Sequence, residues 1–248
     1  MDRMVYLAMT GAKQALQAQQ VTSHNLANAD TTGFRADFNT MLSRQVTGPT
    51  LPTRVYSDEV GGGSDMTEGS MVNTGNQLDV AVQGDGWLTV QAPDGTEAYT
   101  RRGDLRISSG GLLENGAGQL VMGNDGPVAV PPSSKIEVGK DGTISVVPLG
   151  QKDNAMVVVD RLRLVKPSTD NLRKGQDGLF RTVDGSTPPP DASVHVVSGT
   201  LESSNVNSVD ALVQMIDHQR RYETYVKLMQ TAKQNDETGQ RLLRSSGG

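Results

Sequence analysis

Cysteine is absent from the 248 residues, which excludes a disulfide framework, a thiolate nucleophile and a cysteine-ligated zinc ribbon. A cysteine-free chain is compatible with reducing and oxidising compartments alike. Aromatic residues make up only 4% of the chain, too few to line a deep substrate pocket. No strong excess of one charge exists either: 23 Lys+Arg face 28 Asp+Glu, for a net charge of −5. That balance argues against binding driven by phosphate attraction, whether to nucleic acid or to an anionic membrane. No segment approaches the ~18 consecutive apolar residues of a membrane span. The apolar run at the N-terminus, Met4 to Met9, stops at Thr10, Gly11 and Lys13, without the h-region and small-residue cleavage site of a secretory signal. Export, if it happens, is expected to leave the chain uncleaved. What is plentiful is glycine (28) and proline (11), a composition that leans towards a scaffold.

The two ends read as helices. From Asp2 to about Asn28 there is one glycine and no proline, and Ala and Gln dominate, all compatible with a helix. Met4, Ala8, Gly11, Ala15, Ala18, Thr22 and Asn25 fall at alternating spacings of four and three, a heptad-type seam of small residues. Small side chains allow close approach but bury little area each, so this helix is expected to be marginal unless neighbours surround it. The second helix is expected to start from the capping run Ser203-Ser204-Asn205 and to continue to about Leu243. Ala211, Met215, His218, Tyr222, Tyr225, Met229 and Ala232 form its stripe, widened by Leu212, Ile216, Val226 and Leu243. About 35 helical residues span about 50 Å, which suits a coiled coil or a helix buried between subunits.

The middle is β-type. Turn dipeptides recur at Asp85-Gly86, Asp94-Gly95, Asn115-Gly116, Asp125-Gly126, Asp141-Gly142, Asp177-Gly178 and Asp184-Gly185, and predict hairpins of type I′, in which both central residues take positive φ. Leu78 to Val82, Trp87 to Val90, Thr143 to Val147 and Met156 to Val165 alternate or are β-branched. Short strands at this spacing predict an antiparallel sandwich or barrel, with Pro188-Pro189-Pro190 at its far edge. Thr47 to Gly63 is rich in Pro, Gly and Thr and reads as an extended connector. The expected class is therefore α+β, mainly β. Terminal helices over 1–35 and 203–248 pair as a coiled coil, a connector covers 36–77, and a β-rich outer domain covers 78–202. Both ends are near charge balance and the middle carries the acidic excess, which fits buried ends and an exposed middle.

Catalytic and metal chemistry finds no convincing constellation. His24, His195 and His218 lack metal spacing and read as packing or surface residues. Gly84-Asp85-Gly86 and Gly116-Ala117-Gly118 lack the third glycine and following helix of a dinucleotide fingerprint, and no nucleophile elbow or phosphate loop is present. The acidic pairs Asp58-Glu59 and Asp236-Glu237 read as solvated. Arg101-Arg102 is a lone basic pair before a turn, and Trp87 reads as a core anchor. No catalytic residue, cofactor or metal is assigned. No nucleic-acid or small-molecule partner and no membrane insertion is expected.

One stretch exceeds the needs of an ordinary helix end: Asn25-Leu26-Ala27-Asn28-Ala29-Asp30-Thr31-Thr32-Gly33-Phe34-Arg35. Asn28 is suited to a left-handed C-cap, Asp30 and Thr31 to local backbone bonds, Gly33 to positive φ and Phe34 to packing as an anchor. Asn25-Leu26-Ala27-Asn28 followed by Thr31-x-Gly33-Phe34-Arg35 resembles the signature of flagellar axial proteins, the rod, hook and hook-associated subunits. The likeness continues through Leu78-Asp79-Val80-Ala81-Val82-x-Gly84-x-Gly86-Trp87 and Tyr99-Thr100-Arg101-x-Gly103. It extends to Gly199-x-Leu201-Glu202-x-Ser204-Asn205-Val206-Asn207, Met215-Ile216 and Arg221-Tyr222-Glu223. These pieces span nearly the whole chain in family order. Its length, the brief connector before Leu78 and Trp87 are most similar to proximal-rod members.

The resemblance implies a structural subunit of the basal-body rod, a drive shaft crossing the periplasm. It also implies export by the flagellar type III apparatus with an uncleaved signal, terminal helices in the tube core and a β domain outside. Implied partners are proximal and distal rod subunits, copies of the chain itself and the export apparatus. The expected assembly residues are Asn25, Leu26, Ala27, Asn28, Thr31, Gly33, Phe34 and Arg35 in the signature, and Met215, Ile216, Tyr222, Tyr225 and Met229 in the second helix. Three alternatives stay open: a distal-rod or hook subunit, a wall-cleaving enzyme, and a β-sandwich binding module with helical arms forming closed oligomers.

Overall fold

A computed structural model describes residues 2–45, 55–150 and 156–245. The described residues form two α-helices, one short 3-10 helix at Thr169–Asn171 and sixteen strands. Helix α1 spans Asp2–Ala27; strands β1 to β4 are Asp37–Gln45, Val55–Ser64, Met71–Asn73 and Val80–Gln83. Strands β5 to β8 follow at Trp87–Gln91, Glu97–Thr100, Leu105–Ile107 and Leu113–Asn115, and β9 to β12 at Ser133–Val138, Thr143–Pro148, Val157–Arg161 and Leu164–Val165. Strands β13 to β16 are Leu172–Lys174, Phe180–Thr182, His195–Ser198 and Thr200–Glu202, and helix α2 is Ser208–Ser245. The chain divides into two compact units. One comprises Met1–Ala27, Asp37–Gly63 and Asn207–Gly248; the other comprises Asn28–Ala36 and Ser64–Val206.

In the helical unit α1 packs along α2. Close approach is possible because the seam is small: Ala8, Gly11, Ala12, Ala15 and Thr22 are buried in α1, and Ala211 and Ala232 in α2. Met4, predicted on the seam, is exposed instead, and Ala12 takes a buried place beside it. A straight α-helix drifts relative to a strict seven-residue repeat, which moves the contact line sideways towards the chain's end. The α2 stripe follows its predicted spacing: Met215, His218, Tyr222, Tyr225 and Met229 are half-buried between Ala211 and Ala232. Residues 36–77 contain more than the expected connector. β1 and β2 pair as a two-stranded sheet and β3 pairs with β16. Residues 46–54 of that predicted connector lie outside the described residues.

The second unit is mainly β. Its largest sheet has the order β12-β5-β6-β14-β13, and a second runs β11-β10-β9. Two-stranded pairs β15-β4, β16-β3 and β7-β8 complete it, and no sheet of the described residues closes into a barrel. Strand β5 is buried on both faces, which is why its sequence reads as a continuous apolar run. Leu88 and Val90 point into a core shared with Val80, Val82, Leu113, Ile144, Val146 and Val196. Trp87, on the opposite face, joins Tyr99, Val165, Leu172 and Phe180, with the Trp87 and Phe180 ring centroids 4.6 Å apart. Met156 to Val165 is two strands rather than one, because its halves serve different sheets: β11 pairs with β10 and β12 with β5.

The hairpin turns also differ from type I′. Among the described residues no residue other than glycine has positive φ. At Asp94, Asp141 and Asp184 the carboxylate instead accepts the amide of the residue two positions on. The glycine between, Gly95, Gly142 or Gly185, takes the positive φ. A short acidic side chain that bonds its own turn has no need of the left-handed region.

Candidate functional site: the signature segment and the return strand

The signature stretch divides where α1 ends. Asn25, still helical, clasps the backbone of Asp37: its amide Nδ2 donates to Asp37 O and its Oδ1 accepts from Asp37 N, both at 2.8 Å. One amide side chain thereby satisfies both polar groups at the start of β1, as a neighbouring strand would. His24 Nδ1 lies 3.1 Å from the Asp37 carboxylate. Leu26 is half-buried and Ala27 exposed.

Asn28 to Arg35 belong to the β unit. Asn28 does not adopt the left-handed conformation expected of it. Its carbonyl accepts Thr31 N and its Oδ1 accepts the Thr31 hydroxyl, each at 3.1 Å, so a polar turn ends the helix. The left-handed residue is Gly33, with φ 66°. A Cβ there would overlap the Arg101 carbonyl group. Phe34 is buried beneath Lys174, whose Nζ is 3.7 Å from the ring centroid and donates to Arg35 O at 2.8 Å.

Segment 31–36 is held chiefly by residues from far along the chain. Gly33 N donates to Glu202 O at 2.8 Å, and Asn205 N donates to Phe34 O at 3.2 Å. Asn205 Oδ1 accepts Ala36 N at 2.7 Å, while its Nδ2 donates to Asp65 O and Thr67 O at 3.0 Å. These duties correct the predicted start of α2. Asn205 is consumed by the β unit, so the cap falls to Asn207, whose Oδ1 accepts Val209 N and Asp210 N.

At the centre lies a buried ion cluster. Arg35 Nη1 is 2.6 Å from Glu202 Oε1, and both side chains are fully buried. Arg101 Nη1 is 3.2 Å from Glu202 Oε2 and from Val82 O, its Nη2 donates to Gly84 O, and its guanidinium lies 5.2 Å from the Trp87 ring centroid. Gly69 N donates to Glu202 Oε1 at 3.0 Å. Burial lowers the Arg101 pKa from its ordinary value, opposed chiefly by Glu202. Arg102, its neighbour, instead donates two hydrogen bonds to the Asp104 carboxylate, at 2.8 and 2.9 Å. This arrangement offers no nucleophile, base or open ligand position. Among the described residues no cluster of three or more His, Cys, Asp and Glu is placed to hold a metal. What it can do is fix backbone.

Residue reasoning singled out Asn25 to Arg35 but missed Glu202 and Asn205 as their partners. The readable signal was a cation and an anion, Arg35 and Glu202, each beside an apolar residue, Phe34 and Leu201, within its motif. The α2 residues belong to the helical unit. There Met215, Tyr222, Tyr225 and Met229 share the half-buried stripe, whereas Ile216 is exposed.

Comparison with known proteins gives three family matches in chain order. Residues 6–35 match the flagella basal body rod protein family, 81–146 the flagellar hook protein FlgE/F/G D1 domain, and 197–242 the flagellar basal body rod FlgEFG protein C-terminal family. The chain is 41% identical to the flagellar basal-body rod protein FlgF of Salmonella typhimurium and 42% identical to that of Escherichia coli, covering 99% of this chain and 100% of each relative. It is 32% identical to the flagellar basal-body rod protein FlgG of Buchnera aphidicola from Acyrthosiphon pisum, over 90% of this chain and 94% of the relative.

Proposed function

Because the chain belongs to the flagellar basal-body rod proteins and is a structural rod subunit of the flagellar basal body, we propose that it occupies the proximal rod and builds it through its terminal helices. Its partners on this reading are other proximal and distal rod subunits and copies of itself. It reaches the periplasm through the flagellar type III export apparatus without a cleaved signal. The assembly residues are the signature positions from Asn25 to Arg35 together with Met215, Ile216, Tyr222, Tyr225 and Met229. The tube core takes 1–35 and 203–248 as coiled-coil elements, and a sandwich-like outer domain at 78–202 faces outward.

The observation that carries the reading is the apolar surface left on the helical unit. The α1–α2 seam uses small residues, while Tyr6, Leu7, Met9 and Leu16 of α1 and Val209, Leu212, Val213 and Ile216 of α2 stay exposed, Leu7 and Val209 at 66%. Scattered exposed apolar residues are ordinary, but this many on two paired helices mark an interaction surface. Length adds to this. The 26 residues of α1 and 38 of α2 are about 39 and 57 Å long, so a third of α2 has no α1 beside it. A shaft that transmits torque through non-covalent contacts needs such surfaces repeated in an open helical lattice.

Leu212→Glu with Ile216→Glu tests the reading. Both side chains are exposed in the single chain, so its fold and solubility are expected to be retained while incorporation into basal bodies and swimming are lost. Normal rods carrying the double variant would overturn it. Labelled subunits in electron micrographs of purified basal bodies are expected at the motor end of the rod; label at the hook end would move the chain to the distal rod.

A further inference from the structure

Arg35, Arg101 and Glu202 come from three distant parts of the chain, and Glu202 is where they meet. Arg101 has other support: the carbonyls of Val82 and Gly84, and Glu68 at 3.9 Å. Arg35 has far less. Among the described residues none of its three guanidinium nitrogens makes a hydrogen bond, and Glu202, 2.6 Å from Nη1, is the carboxylate within ion-pair distance of the buried charge. A buried charge deprived of its partner is strongly unfavourable.

The main chain follows the same arrangement. Glu202 O takes Gly33 N, Glu202 Oε1 takes Gly69 N, and Asn205 bonds Phe34 O, Ala36 N, Asp65 O and Thr67 O. Among the described residues, segment 31–36 is also joined to intervening chain by Lys174, which bonds Arg35 O and lies over the Phe34 ring, and by the bond from Asp65 N to Ala36 O. By contrast, the apolar core around Leu88, Val90, Ile144 and Val146 includes neither segment.

We propose that Glu202 is a positioning residue that latches the chain on completion. Segment 31–36 reaches its folded place only when the Glu202 carboxylate docks between Arg35 and Arg101, so segments 31–36 and 202–206 order together while the β core forms without them. The latch is a property of the single chain and holds whatever the subunit's place in the rod.

Hydrogen exchange read by mass spectrometry on the full-length chain tests this. Glu202→Gln keeps the shape and removes the charge. Exchange is expected at least tenfold faster in both 31–36 and 202–206, with β5 and β10 unchanged, and Glu202→Asp, which keeps the carboxylate, is expected to restore part of the protection in both segments together. Should Glu202→Gln fail to fold, Arg35→Met with Glu202→Gln removes one cation and one anion together. That variant is expected to fold with both segments still exchanging fast. The latch is overturned by a change in only one segment, by equal acceleration in β5 and β10, by no change, or by normal protection in the double variant.

Discussion

Two glycines show how a missing side chain decides the structure at single positions. Gly11 lies in α1 where a Cβ would collide with the Tyr225 ring of α2. Alanine here gains helix propensity of about 1 kcal/mol but must push the half-buried Tyr225 ring aside along its Cδ1–Cε1–Cζ edge; the two effects oppose, so Gly11→Ala is expected to be near neutral. Gly11→Leu cannot be absorbed in that way. Its expected cost is about 1–3 kcal/mol of helical-unit stability, read as loss of helix signal in thermal denaturation, with part of the loss recovered by Tyr225→Ala. Gly33 is different, because its obstacle is backbone and its φ is positive. Gly33→Ala is expected to cost roughly 2 kcal/mol or more, from left-handed strain together with the clash, measured by urea unfolding of the full chain.

At the scale of elements the two helices and the β unit respond differently to acid. Burial lowers the His218 pKa, helped by Arg221 and opposed by Asp217. A histidine that binds its proton more weakly when folded contributes nothing above its unfolded pKa of about 6.5 and costs stability as pH falls below it. In the β unit, the Asp177 pKa is lowered by its hydrogen bonds to Arg181, and those of Asp94 and Asp141 by bonds to Thr96 and Thr143. Depressed carboxyls keep their stabilisation above about pH 4 and lose it as pH falls through the folded values. Acid titration is therefore expected to weaken the helix signal as pH falls below about 6.5, before the near-ultraviolet signal of the buried Trp87 changes. His218→Gln is expected to remove that early phase.

Elements with a strong period or an unmistakable composition were readable: both helices, the α2 stripe from Ala211 to Ala232 though not Leu212 and Ile216, which are exposed, and strands such as β5 and β10. Boundaries that depend on remote partners were not. Asn205 looks like a cap until Ala36 and Asp65 are brought to it, and the 156–165 run looks like one strand until its halves find different sheets. β1 and β2 were hidden because their glycine- and proline-bearing surroundings carry the signal of a linker, which pairing between the two strands overrides.

For the whole molecule, resemblance to the family was carried by motifs that look unrelated along the sequence. The structure explains why three of them belong together: Arg35, Arg101 and Glu202 are one buried cluster. The β unit has a large apolar core of its own, whereas the helical unit joins by a seam of small residues with half-buried Met and Tyr side chains of α2 and leaves Leu7, Met9, Val209, Leu212 and Ile216 exposed. Stability is accordingly uneven, with the helices at the low end until neighbours cover them. Comparing amide exchange in the free full-length subunit with exchange in purified basal bodies tests this directly. α1 and α2 are expected to exchange rapidly in the free chain and slowly in the rod, with β5 and β10 protected in both. Helices already protected in dilute solution to the level reached in the rod would contradict the claim that neighbouring subunits complete their core.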